Sequence, residues 1–282
     1  MVEKTAVIEH YASGSALAYQ QGKIYLMGDD MNYMIILDNS LQVIDSILLE
    51  DSVKYKIAKD IKPDLEAATF ISPGSLLLLG SGSKKPRNTV FVVNVDSKEK
   101  IAFSLDTFYQ RLEKEGITEI NVEGATAIDD KILLSNRGNN AHPKNHLIIT
   151  AADFYKEQQN AEVKVVEIEN PAVGFSGVSG LEYSSQFDRL LLSVSTEDTY
   201  STHEDGAIGK SYLWIIDNVS SKLKGKIKAE KIIDLTTLDK RFSGQKIESV
   251  CIVSESKNEM EIILVADNDN GSSTVFKLKL NL

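Results

Sequence analysis

The 282-residue sequence predicts an all-β fold, a five-bladed β-propeller of four-stranded antiparallel blades closed by the N-terminal strand, which completes the last blade. Three observations carry that prediction. A short motif recurs five times: one polar or small residue, a small residue, then a strand-like run. Each copy is followed by two further strand-like runs in a constant order. The fifth copy reaches the end of the sequence one strand short.

The motif copies are "GSALAY" (14–19), "EAATFI" (66–71), "EGATAI" (123–128), "SGLEYS" (179–184) and "ESVCIV" (248–253), aligned on Gly14, Glu66, Glu123, Ser179 and Glu248. Their spacing is that of a propeller blade with long loops, since a blade repeat runs roughly 40 to 50 residues. The second strands read "KIYLMG", "SLLLLG", "KILLSN", "RLLLSV" and "EIILVA", and the third strands "YMIILD", "TVFVVNV", "HLIIT", "YLWIID" and "TVFKLKL". Their β-branched and aromatic content between polar or Gly-rich turns is that of a meander. Fourth strands are available as "QVIDSILL", "KIAFSL", "VKVVEI" and "EKIIDL". The fifth blade must take its fourth strand from "KTAVIEHY" near the N-terminus. Closure by both chain ends removes open sheet edges. One amphipathic helix is predicted within 104–116, where Leu105, Phe108 and Leu112 recur at helical spacing before Gly116. It falls between the second and third blades, so residues 1–282 form a single domain.

Composition narrows the function classes. The hydrophobic content of 42% can build a large core, and the formal net charge of −10 disfavours nucleic acid and anionic membranes as partners. The single cysteine, Cys251, excludes an internal disulfide framework and is read as core. No apolar run reaches the length of a membrane span and none near the start has signal-peptide character, so a soluble, cytoplasmic protein is expected.

In a propeller the first strands line the central channel, and the turns after the second strands lie at one of its mouths. Glu66, Glu123 and Glu248 therefore converge on the axis, joined by turn residues Asp29, Asp30, Ser81, Ser83, Asn136, Arg137, Glu197, Asp198, Asp267 and Asp269. Three converging carboxylates repel unless a cation, a proton or a guanidinium intervenes. Arg137 is the expected counter-charge. One reading of this ring is purely architectural, with the glutamates tying blades together through hydrogen bonds. A second is a calcium site, with Asp267 and Asp269 of "ADNDNGSS" (266–273) and the strand-head Glu248 as ligands, although the glutamate that ends an EF-hand loop is missing. A third is a pocket for a small polar molecule or phosphate, using Arg137 and the donors of "GSGSKKPRN" (80–88), which lacks the order of a P-loop.

The segments "DLEAATF", "LLLLGSGSKKPRN", "NVEGATAIDDKILLSNRGN" and "KIESVCIV…ILVADNDNG" resemble an uncharacterised family of bacterial β-propeller proteins that carry glutamate before a small residue at strand heads, then Gly-Ser-Gly-Ser followed by Arg-Asn, then Arg-Gly-Asn. More distantly, the chain is similar to esterase-like or phytase-like propellers with "LEG"-type strand heads. The resemblance implies the fold and marks Glu66, Ser81, Ser83, Arg87, Asn88, Glu123, Arg137, Asn139 and Glu248 as family-like positions. It implies no activity.

Other constellations are weak. His142 and His146 form an i,i+4 pair in "HPKNH" without the HExxH pattern, and "GFSGVSG" (174–180) lacks the strand-to-helix setting of a nucleophile elbow. "STEDTYSTHEDGAIG" (195–209) is an acidic surface loop, and "KLKGKIKAEK" (222–231) reads as a lysine-protected hairpin edge. The leading expectation is a propeller that holds a small polar ligand or cation at its axial mouth. Its rivals are a metal-dependent phosphoesterase or lactonase-like hydrolase, with a glutamate as base, and a protein-interaction scaffold.

Overall fold

The computed structural model describes residues 1–50, 52–54, 56–171, 175–197, 200, 208–267 and 271–282. Its strands make five sheets, one per blade. The chain begins with β1 (Val2–Glu9). Blade one is β2 (Gly14–Gln20), β3 (Lys23–Gly28), β4 (Tyr33–Asp38) and β5 (Val43–Leu48). Blade two is β6 (Leu65–Ser72), β7 (Ser75–Gly80), β8 (Thr89–Asn94) and β9 (Lys100–Ser104), followed by helix α1 (Asp106–Lys114). Blade three is β10 (Val122–Ile128), β11 (Lys131–Asn136), β12 (Asn145–Ala151) and β13 (Lys164–Ile168). Blade four begins with β14 (Gly177–Ser184), β15 (Arg189–Glu197) and β16 (Ile208–Asp217). After β17 (Lys226–Ile227) it ends with β18 (Lys231–Asp234). Blade five is β19 (Lys246–Glu255), β20 (Glu259–Asp267) and β21 (Ser272–Asn281).

The five innermost strands, β2, β6, β10, β14 and β19, neighbour one another around the axis, and β19 returns to β2. Closure is as the sequence predicts: β1 pairs antiparallel with β21 at the outer edge of blade five, from Val2 opposite Leu278 to Glu9 opposite Ser272. From there the chain crosses to the innermost strand of blade one through Tyr11. Its hydroxyl shares its one proton between the carbonyls of Leu26 and Tyr33, both at 2.9 Å, and accepts from the Gly28 amide at 3.1 Å.

The continuous hydrophobic runs of the second strands follow from burial on both faces. Leu76 and Leu78 pack in the core between blades one and two, whereas Leu77 and Leu79 face the core between blades two and three. β15 divides in the same way, with Leu190 and Leu192 on one side and Leu191 on the other, as does β20, with Ile263 and Val265 opposed to Ile262 and Leu264. Three of the cores lie between two blades and the fourth runs from blade five through blade one to blade two, so no blade has a core of its own. Helix α1 closes the wedge between blades two and three with Phe108, Tyr109 and Leu112, and the Tyr109 hydroxyl donates to the Gly80 carbonyl at 2.8 Å.

The lysine-rich segment 222–231 does not form a hairpin edge on its own blade. Lys226 and Ile227 cross to blade three and pair in parallel with Glu167 and Ile168 of β13, so that sheet has five strands. Ile227 is buried there in the core between blades three and four, and the Lys226 ammonium binds the Glu167 carboxylate at 2.8 Å. Apolar burial thus draws the segment across, while its lysines remain in solvent. Among the described residues no helix is long and apolar enough to cross a membrane, which says nothing of β-barrel insertion.

Candidate functional site at the channel mouth

The motif that identifies each blade is a β-bulge. Near the head of every innermost strand a residue is skipped in the pairing with its neighbour: Ser15 in β2, Glu66 in β6, Glu123 in β10, Ser179 in β14 and Glu248 in β19. A bulge re-aims one side chain and bends the strand. Five of them at one level present a ring of five side chains. The blade-one member is Ser15, one residue beyond the Gly14 that the sequence alignment selects. The small residue after the bulge is a matter of space. A Cβ on Gly124 would lie 2.6 Å from Leu181 Cδ2, and one on Gly180 would lie 2.7 Å from Ser193 Oγ.

Where the bulge residue is serine it ties blades together. Ser15 donates to the Leu65 carbonyl at 2.6 Å and Ser179 to the Ile247 carbonyl at 2.6 Å, each reaching the innermost strand of another blade. The glutamates do something different. Glu123 accepts from Arg137 Nη1 at 2.9 Å and from Asn121 Nδ2 at 2.6 Å. The other arm of Arg137 reaches blade four, donating to Glu197 Oε2 at 2.9 Å and to Ser195 at 3.3 Å. Lys246 lies 3.3 Å from Glu197 and 3.0 Å from Glu248. Arg137 and Lys246 thus serve as counter-ions for three carboxylates contributed by blades three, four and five.

A second cluster lies at blades one and two. The Lys62 ammonium pairs with Asp29, with Asp30 at 2.9 Å and with Asp64 at 2.9 Å. Arg87 donates to Asp64 Oδ2 at 2.7 Å and to Ser83 Oγ at 2.8 Å, and Ser81 donates to the same Asp64 oxygen at 2.5 Å. Glu66 stands between the two clusters and has no hydrogen bond or ion pair of its own among the described residues. Its nearest charges include Asp29, Asp64 and Glu123. One donor oxygen from each of Asp29, Asp64 and Glu66 lies within 4.8 Å of the others, the spacing of a cation site.

Burial, reinforced by carboxylate neighbours, drives the proton affinities upward. Burial first, then Asp29, Asp64 and Glu123, push Glu66 well above the usual carboxyl range. Asp29 and Glu248 each rise to about 7, mainly through burial, with Lys62 and Lys246 respectively opposing the shift. Burial pulls on the cations in the opposite sense, but the carboxylates outweigh it and hold Lys62, Arg137 and Lys246 charged.

The structure therefore brings together Glu66, Ser81, Ser83, Arg87, Glu123, Arg137 and Glu248 in two adjoining clusters. Asp267 belongs beside Glu248, to which it is electrostatically coupled. Asn88 is turned away, donating to Asp106 at the start of α1 at 2.8 Å. Asn136 and Asn139 staple loops: Asn136 bonds the backbone of Glu119 and Asn121, and Asn139 holds the amides of Ala141 and His142. Asp269 lies outside the described residues, as do Asp198, His203, Glu204 and Asp205. Sequence reasoning missed Lys62, Asp64 and Lys246. Lys246 was accessible to it, because residues two apart on a strand share a face and Lys246 is two before Glu248. Lys62 carried no such signal, since Asp64 has a left-handed backbone, φ 54°, that breaks the alternation.

Lys62 occupies the position a metal would take among Asp29, Asp30 and Asp64. Lys62→Ala should lower stability by about 3–5 kcal/mol, the scale for stranding buried charge, and millimolar calcium should restore much of the loss. Denaturant unfolding with and without calcium tests this, and a variant as stable as the wild type in chelator would show that the carboxylates do not need the ammonium.

The chain belongs to a family of unknown function, DUF6929, whose model matches residues 10–280. No curated protein matches the sequence. Among solved structures, the chain is similar to the glutaminyl cyclase of Myxococcus xanthus, at TM-score 0.58 and 10% identity over 100% of this chain and 97% of that one. It also aligns with a member of the duf4221 family from Bacteroides vulgatus, at TM-score 0.48 and 8% identity over 100% and 98% of the two chains. A third match is the virginiamycin B lyase of Staphylococcus aureus, at 0.43 and 8% over 98% and 99%. At 10% identity, the likeness to the glutaminyl cyclase shows the propeller fold alone.

Proposed function

We propose that the channel mouth is a binding site for a small cation, an organic ammonium or a divalent metal ion, seated against Glu66. The observation that carries this reading is the unpartnered carboxyl of Glu66 beside two clusters in which carboxylates outnumber cations. Among the described residues, Asp29, Asp30, Asp64, Glu66, Glu123, Glu197 and Glu248 are gathered around Lys62, Arg87, Arg137 and Lys246. Blades one and four complete the ring with serine, so glutamate is not a requirement of propeller assembly. A carboxyl kept in a buried, acidic setting lowers stability, and residues retained at such a cost mark sites. A cation arriving at Glu66 relieves that repulsion and releases its proton. The hydrolase alternative uses the same group, with a divalent ion on Asp29, Asp64 and Glu66 displacing the Lys62 ammonium and activating water. The protein-scaffold alternative needs no ligand there.

The test is thermal unfolding with calcium, magnesium and a series of small aliphatic amines, for the wild type and Glu66→Gln. A ligand bound to the native state raises the melting temperature by mass action, and the gain should vanish in the variant. Amines alone active would identify an ammonium receptor, and divalent ions alone would favour the hydrolase arm. If none acts, or each acts equally on Glu66→Gln, the reading fails.

A pH prediction follows from the same residue. The folded-state pKa of Glu66 lies above its unfolded value of about 4.3, so the native state binds more protons between the two. Its contribution to stability is full below about pH 4 and is lost as pH rises through the folded pKa. Glu66→Gln should therefore become more stable relative to the wild type from pH 5 to pH 8, measured by urea unfolding at each pH. A constant difference would show that Glu66 is not perturbed.

A further inference from the structure

A cleft of about 270 Å³ lies beside the top of blade three, between the chain leaving α1 and the loop joining β11 to β12. Both walls are fixed. Asn136 donates to the Glu119 carbonyl at 3.0 Å and accepts from the Asn121 amide at 2.7 Å, which holds one wall. Asn139 accepts from the amides of Ala141 and His142, both at 2.9 Å, and donates to the Glu119 carboxylate at 2.5 Å, which holds the other and joins the two. Gly138 permits the tight loop, since a Cβ there would lie 2.4 Å from the His142 carbonyl oxygen.

Of the nitrogen-bearing side chains that line this preformed space, Asn136 and Arg137 are engaged elsewhere, which leaves His142, Lys144 and His146. The imidazole of His142 makes no hydrogen bond among the described residues. His146 sits on β12 with Nδ1 buried and unpartnered. Lys144 reaches Glu167 only at 3.6 Å, and its side chain is 64% exposed. The backbone amides of Gly138, Asn139, Ala141, His142 and Lys144 are consumed within the loop, so on this wall side chains are the donors offered to a ligand. The Arg137 guanidinium is held in the channel by Glu123 and Glu197. Burial draws His146 below the ordinary imidazole range, so at neutral pH it offers a neutral N–H while Lys144 supplies the charge.

We propose that this cleft binds a small metabolite bearing an oxyanion, a carboxylate or a phosphate, through His142, His146 and Lys144. A metal ion is the poorer match: among the described residues only Asp29, Asp64 and Glu66 bring three ligand atoms close enough for one ion, and the cleft's histidines and Glu119 do not. The volume holds a molecule of about ten non-hydrogen atoms, on the scale of roughly 30 Å³ per water. The cleft shares Arg137 with the channel wall, but its proposed donors are not those around Glu66, and its failure would leave the reading of Glu66 untouched.

The experiment titrates inorganic phosphate, and separately succinate, into the full chain and follows the imidazole nitrogens by long-range proton–nitrogen NMR. The resonances of His142 and His146 should move together and saturate with a Kd of about 1 mM or tighter, the range of a weak small-ligand site. Lys144→Ala and His146→Asn should each weaken binding about tenfold, which is about 1.4 kcal/mol, while Glu66→Gln leaves it unchanged. A response to phosphate alone assigns a phosphate ester, and a response to succinate alone a carboxylate. No saturable movement with either probe in the wild type, or movement of equal affinity in both cleft variants, overturns the proposal. Far-UV circular dichroism of the variants excludes misfolding as the cause of a loss.

Discussion

A chain lacking residues 1–11 should lose most of its stability in one cooperative step. β1 contributes a paired outer strand to blade five, and Ala6 and Ile8 pack against the core between blades five and one. Without it, β21 becomes an open edge, and the alternating buried Val275, Phe276, Leu278 and Leu280 lose cover on their outer flank. Tyr11 goes as well, leaving the Gly28 amide and two carbonyls without the hydroxyl that pairs them. Each net hydrogen bond is worth about 1 kcal/mol. A ladder of this length with its apolar cover therefore approaches the whole 5–15 kcal/mol that holds a typical domain together. A circular permutant keeps the test decisive. The Met1 amine already lies against the Lys279 carbonyl, so joining Leu282 to Met1 by a short turn and opening the chain after Tyr11 makes β21 and β1 a hairpin. The truncation should lack a cooperative urea transition at 25 °C, and the permutant should recover one. A truncation that unfolds at the wild-type midpoint would refute closure by β1.

The fold was legible because its signal is repeated and local. The run Leu76–Leu79 announces a strand buried on both faces, and in an antiparallel meander repeated five times a radial arrangement of blades buries the second strands in that way. The register of the inner ring was legible to within one residue. Ser15, not Gly14, holds the bulge in blade one, because a bulge is a feature of pairing and both residues are small. The crossing of Lys226–Ile227 to blade three was not legible, since it is set by tertiary burial of Ile227 and by a parallel pairing that no local pattern encodes. At the mouth, the carboxylates and Arg137 could be aligned by counting along repeats. Lys62 could not, because it enters from a loop outside the repeat and turns inward through the left-handed backbone of Asp64. Repeats reveal what all blades share, and the counter-ions are what individual blades add.

Arg137→Ala should destabilise the domain by about 3–5 kcal/mol, the usual scale when a buried partner is removed and its charges are stranded. The guanidinium is 7% exposed and bonds one carboxylate of its own blade and one of the next, Glu123 and Glu197, at 2.9 Å each. Removing it strips the guanidinium from two largely buried carboxylates, the second of which keeps Lys246 at 3.3 Å. Arg137→Lys should recover only part of the loss, since one ammonium cannot reproduce two arms directed at carboxylates of two blades. The triple variant Arg137→Ala, Glu123→Gln, Glu197→Gln separates electrostatics from packing. If the loss is stranded charge, neutralising both carboxylates should return most of the stability; if it is lost packing, the triple variant should be no better than the single one. Gly177 supplies an independent steric route to the same pair, because a Cβ there would lie 2.3 Å from Arg137 Nε. Gly177→Ala should therefore push the guanidinium off its partners and reproduce part of the Arg137→Ala effect, while adding little to it when the two are combined. Urea unfolding of the six proteins, wild type included, measures every term. An Arg137→Ala protein with the wild-type midpoint, or a Gly177→Ala loss fully additive to it, would mean that the guanidinium does not bind blades three and four into one electrostatic unit.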